Sequence, residues 1–198
     1  MEKFQLWAEP WWVNLLVLVP FLVSWLWRRN GLLLAKRQLM VLSIFALSFG
    51  FVEAAVVVYL RAAIGLLPGY HGTLFDIQHS PAAYQQQSSV AAVPPGLLTI
   101  EVVREAATML MLLSVALLAA ARAAERWALF LWAFAVWDIS YYAGLWATVR
   151  WPMSLKDPDV LFLIPVPWIA QVWFPLLVSG LSMAAVAFSR KSAGQPTV

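Results

Sequence analysis

The fold class this sequence predicts is an all-α integral membrane protein, a bundle of five transmembrane helices in a single membrane domain covering 1–198. Three observations carry that reading. Hydrophobic side chains make up 63% of the chain and charged ones only 12%, with a mean hydropathy of +0.77, far from the composition of a water-soluble domain. Twelve Trp, five Tyr and eleven Phe match the aromatic belts that anchor helices at bilayer interfaces. At about 20 apolar residues per crossing, 198 residues with one long loop hold five helices and little else. An appended soluble catalytic domain or a nucleic-acid-binding module is excluded, so the partner expected first is the lipid bilayer. Further membrane subunits or a second copy of the chain come after it.

The first expected span, 11–27, follows Pro10 and carries tryptophans at both ends before Arg28 and Arg29. A cleaved signal peptide places its positive charge ahead of the apolar core. Here the order is reversed, which reads as an uncleaved first span. The second span, 38–66, opens after Lys36 and Arg37 and contains Glu53 and Arg61. A loop over 67–96 is rich in Pro, Gly, Gln and Ser and holds both histidines, His71 and His79. The third span, 97–121, begins with Glu101, Arg104 and Glu105, and the fourth, 127–149, holds Asp138, Tyr141 and Tyr142. The apolar stretch after Asp159 is interrupted by Pro165, Pro167 and Pro175. It divides into a short Pro-kinked interfacial or re-entrant segment, 160–168, and a last span, 169–188.

Charge sets the expected orientation. With the N-terminus outside and the C-terminus cytoplasmic, eight of the thirteen bases gather at cytoplasmic ends, as the positive-inside rule requires. The reading is therefore a multi-pass protein of a bacterial-type inner (plasma) membrane. Of the ten acids only Glu125 falls at a cytoplasmic end.

The other acids point to a site. Counting 1.5 Å per residue from the cytoplasmic ends puts Glu53 below the outer boundary and Asp138 near the midplane. Glu101, Arg104, Glu105 and Thr108 share one stripe of span three, and Asp138, Tyr141 and Tyr142 one stripe of span four. Glu53 shares a stripe with Ala46, Gly50 and Val57, small enough for close helix approach. An isolated acid at the bilayer centre costs about 2.5–3.5 kcal/mol, so these stripes should turn inward and meet in a pocket open to the outside. Asn14 and Gln171 are expected as additional members.

Within that pocket Glu53, Asp138 and Glu105 are the expected catalytic or proton-exchanging groups. Arg61, Arg104, Glu101, Tyr141 and Tyr142 are the expected ligand-binding ones, with the arginines suited to an anionic group such as phosphate. The function expected is binding of a small polar or lipid-headgroup ligand, with its transformation as a further step. The rivals are a non-catalytic subunit of a larger membrane complex and a cation-coupled transporter. No metal is expected, because the spans contain no histidine and no Glu-x-x-His pattern. The chain has no cysteine, which removes thiolate chemistry, and nothing in the sequence names a cofactor.

Overall fold

The computed structural model describes residues 7–63, 95–162 and 167–191. The loop expected over 67–96, with His71 and His79, lies outside them apart from its last two residues. Those two, Pro95 and Gly96, already belong to a helix.

A 3-10 helix, Trp11–Val17, runs directly into α1, Leu18–Trp27. The change of helix type has a local cause, since Pro20 has no N–H to offer Leu16 and its ring crowds that turn. The 3-10 rise of 2.0 Å per residue also lets these 17 residues reach about 29 Å, close to the hydrocarbon thickness, where a pure α-helix would fall short. Helix α2 is Lys36–Ala63, α3 is Pro95–Ala119 and α4 is Ala123–Val149. A hairpin of β1, Pro158–Leu161, and β2, Trp168–Gln171, precedes α5, Trp173–Ser189. Three of the helices are long and apolar enough to cross a membrane, over Lys36–Leu60, Leu98–Ala119 and Ala123–Val149, and two are shorter.

The hairpin corrects the expected interfacial segment. A proline disfavours helix at the residue before it, and the sequence places two in this stretch, Pro165 and Pro167. The flanking chain pairs antiparallel instead, Pro158 opposite Gln171 and Leu161 opposite Trp168. The outer edge of β2 is closed by Glu9, whose N–H and C=O both bond Ile169 at 2.9 Å. Three short extended segments thus satisfy one another where a lone strand would leave backbone groups open. The last helix accordingly starts at Trp173 and not at 169.

The bundle has two chemically distinct ends. At one, Leu32 pairs with Arg190, the Arg190 guanidinium donates to the Leu34 carbonyl at 2.9 Å, Gln38 donates to the Ala119 carbonyl at 2.8 Å and Arg126 to that of Ala120 at 2.8 Å. The eight bases read as cytoplasmic sit on segments that gather here. The hairpin closes the opposite end.

Helices α2 and α4 form the closest pair, and the small-residue stripe is the reason. A Cβ on Gly50 would collide with the Ser140 hydroxyl and lie 2.6 Å from the Trp137 carbonyl, and one on Gly144 would lie 2.9 Å from Ala54. The core at the basic end is built from Leu42, Ala46, Leu112, Ala116, Leu129 and Ala133. Residue Arg150 ends α4 in the left-handed region at φ 58°, with its guanidinium 5.0 Å from the Trp146 ring.

Candidate functional site

The polar stripes of α2, α3 and α4 do meet, toward the hairpin end. Helical spacing puts Glu101, Arg104, Glu105 and Thr108 on the inward face of α3, where Glu53 of α2 meets Arg104 and Thr108. The Arg104 guanidinium pairs with Glu53, with Glu101 at 2.7 Å and with Glu105 at 2.9 Å. The Thr108 hydroxyl donates to Glu53 at 3.0 Å. All three glutamates are buried. One guanidinium offers five N–H donors in a planar fork, which is why a single arginine can serve three carboxylates.

Asp138 is held differently. It is 1% exposed and accepts a hydrogen bond from the Ser179 hydroxyl of α5 at 2.8 Å. Tyr142, one turn further along α4, donates to Asp159 on β1 at 2.8 Å. Tyr141 stacks on Trp137 with ring centroids 6.0 Å apart.

Between these groups lies a cavity of about 10 Å³ lined by Glu105, Arg104, Trp137, Asp138, Tyr141 and Asp159, among others. That is room for about one water-sized group. On its wall, Glu105 keeps Oε2 and Trp137 keeps Nε1 buried with no hydrogen-bond partner among the described residues. Buried polar atoms are rarely left so, and both residues line the cavity. The described side chains around the site bring five carboxylates, Glu53, Glu101, Glu105, Asp138 and Asp159, and one cation, Arg104.

The structure therefore brings together Glu53, Glu101, Arg104, Glu105, Asp138, Tyr141 and Tyr142. Arg61 lies on α2, and its side chain is outside the described residues. Two further expectations are corrected. The Asn14 side chain bonds the Ala8 backbone and the Trp11 carbonyl at 2.7–3.0 Å, fixing the start of the first helix. Gln171 accepts from the Trp173 indole at 2.8 Å. Both satisfy local groups, since each sits where the chain enters a helix and nearby donors or acceptors need partners.

Sequence reasoning missed Asp159 and Ser179. Asp159 reads as one polar residue of a linker between spans, and only the pairing of β1 with β2 turns it under the hairpin. A signal was present: the short apolar run that follows Asp159, bounded by Pro158 and Pro165, is compatible with a strand. Among the described residues no group of three or more His, Asp or Glu side chains has a geometry that would hold a metal ion. Compared with family models, with curated proteins and with solved structures, the chain matches none.

Proposed function

We propose that this is a polytopic membrane protein with five crossings, its basic end cytoplasmic and its hairpin end facing out of a bacterial-type inner membrane. Its buried carboxylate pocket binds a small polar ligand through a positively charged group, such as the amine of a lipid head. The observation that carries this reading is the wall of the small cavity. An unpartnered Glu105 oxygen and the Asp138 and Asp159 carboxylates surround space for one group the size of a primary ammonium.

The arginine is not positioned for phosphate. Arg104 already serves three carboxylates, and an anion would have to displace one of them and then lie among the rest. A cation in the cavity meets the Glu105, Asp138 and Asp159 carboxylates, while the charge of Arg104 is already matched by its own three, and desolvated charge-assisted hydrogen bonds are the strong ones. Asp138 and Glu105 are the carboxyls placed to exchange a proton with such a ligand.

The test compares octylammonium with octyl phosphate, equal in chain and opposite in head charge, by native mass spectrometry of the detergent-solubilised protein. Octylammonium should bind, and Asp138→Asn should weaken it at least tenfold; Ser179→Ala, a milder change at the same carboxylate, should weaken it by a smaller factor. Preferential binding of octyl phosphate would overturn the proposal. So would octylammonium binding indifferent to both substitutions, or no binding of either amphiphile. In that last case, loss of folded protein in Asp138→Asn would assign these charges to helix packing within a larger assembly.

A further inference from the structure

Beside the polar cavity, one turn toward the basic end, is a second and much larger one. Its volume is about 240 Å³, and its walls include Met109 of α3, Phe134 of α4, Trp168 of β2, and Phe174, Val178 and Ser182 of α5. Apart from Ser182, whose hydroxyl is turned to the Val178 carbonyl at 2.8 Å, and the Trp168 indole, these walls are apolar.

The two cavities lie along the same inward helix faces. Met109 follows Glu105 by one turn of α3, Phe134 precedes Asp138 by one turn of α4, and Ser182 follows Ser179, the partner of Asp138, on α5. All three displacements run toward the basic end, because neighbouring helices alternate in direction. At the hairpin the relation is direct. Leu161, on the wall of the polar cavity, pairs in register with Trp168, on the wall of the apolar one.

Trp168 is 2% exposed, and its indole Nε1 has no hydrogen-bond partner among the described residues. A buried indole N–H normally finds an acceptor. Here Trp168 lines an apolar space and pairs with Leu161 of the polar cavity's wall. A ligand that satisfies it carries an oxygen acceptor at the junction of a polar head and a hydrocarbon chain.

We propose that the apolar cavity is an acyl-chain site. It takes the chain of an acylated amphiphile whose ester or amide carbonyl accepts from Trp168 and whose head enters the carboxylate pocket. The inference rests on the reading of that pocket as the head site, and it adds the class of ligand: a membrane lipid or lipid-like substrate with an acyl linkage and an amine head. Selectivity for the chain comes from packing and from the Trp168 hydrogen bond, because the surrounding lipid is as apolar as the cavity.

The probe is the monododecanoyl amide of ethylenediamine, which has a primary ammonium, an amide carbonyl and one chain, made with a photoreactive diazirine at mid-chain. After irradiation of the full chain in detergent, peptide mass spectrometry should find adducts at cavity residues such as Phe134, Val178 or Ser182. Val178→Trp on α5 and Leu131→Trp on α4, both residues of the cavity lining, fill the cavity from two different walls and should each abolish them. Trp168→Phe should lower their yield about fivefold, the effect of one hydrogen bond. Adducts confined to outward-facing residues such as Leu118 and Phe188, both 88% exposed, would overturn the proposal. So would cavity adducts that persist in folded protein with either filled cavity. A dodecyl phosphate analogue giving the same cavity adducts, with Asp138→Asn without effect on either probe, would remove the cationic head reading and leave the chain site standing.

Discussion

The hydroxyl of Tyr142 on α4 donates to the carboxylate of Asp159 on β1 at 2.8 Å, with both side chains almost wholly buried. This bond ties the hairpin to the helix that carries Asp138, so the cover of the polar cavity and its floor are one hydrogen-bonded unit. A phenol donating to a carboxylate is a charge-assisted bond, worth about 1.5–3 kcal/mol where it is buried. Tyr142→Phe should therefore lower stability by about that amount. Hydrogen exchange should rise in residues 159–161 and 168–171 while the amides of α2 keep their protection. Asp159→Asn, which keeps an acceptor oxygen, should be the milder change. Equal exchange in the hairpin of wild type and Tyr142→Phe would show that the bond does not hold it down.

Arg104 is the one cation among the described side chains of the carboxylate cluster, so its loss should exceed that of any single acid. Removing one partner of a buried ion pair costs about 3–5 kcal/mol, because the other charge stays buried. Arg104→Gln should yield little monodisperse protein on size-exclusion chromatography. The triple change Arg104→Gln, Glu53→Gln, Glu105→Gln should recover much of it. Arg104→Lys should fall between, since an ammonium cannot reach three carboxylates with a planar fork. A triple variant no better than the single one would refute electrostatic compensation as the reason these residues meet.

Two glycines on different helices should respond in opposite ways. Gly50→Ala would drive a methyl into the Ser140 hydroxyl and the Trp137 backbone, separating α2 from α4, and should lower the melting temperature. Gly180→Ala on α5 meets nothing within 4 Å. It should be neutral or raise stability by up to about 1 kcal/mol through helix propensity. Thermal unfolding of the two variants side by side checks the contrast.

At the basic end, Gln38 accepts from the Ala35 N–H at 2.8 Å and donates to the Ala119 carbonyl at 2.8 Å. It caps α2 and anchors the last turn of α3 with one side chain. Gln38→Leu should cost about 1–2 kcal/mol. Amide exchange should increase at the start of α2, while the hairpin keeps its wild-type protection.

The membrane class and the inward stripes were legible because both depend on short-range spacing. Glu101, Arg104, Glu105 and Thr108 fall on one face whatever surrounds the helix, and Ala46 and Gly50 mark where a neighbour can approach. The meeting of Glu53 with Arg104 was foreseeable from cost alone, since neither tolerates lipid. The partner of Asp138 was not, because Ser179 is one hydroxyl among several on an apolar helix. The hairpin was missed for a related reason. A strand is stable only through its partner, and β1, β2 and Glu9 come from three places in the chain.

Composition and spacing alone were enough to read a membrane class, which helix faces are polar, and which segments carry the bases. Those properties follow from the period of the α-helix and the cost of polar groups in hydrocarbon, and both act locally. It took the packed bundle to show that Arg104 serves three carboxylates, that Asp159 closes over Tyr142, and that an apolar cavity lies one turn from the acids. Each of these depends on the relative rotation and offset of helices far apart in the chain. Packing fixes those quantities through contacts such as Gly50 against Ser140, to which spacing along a single helix is blind.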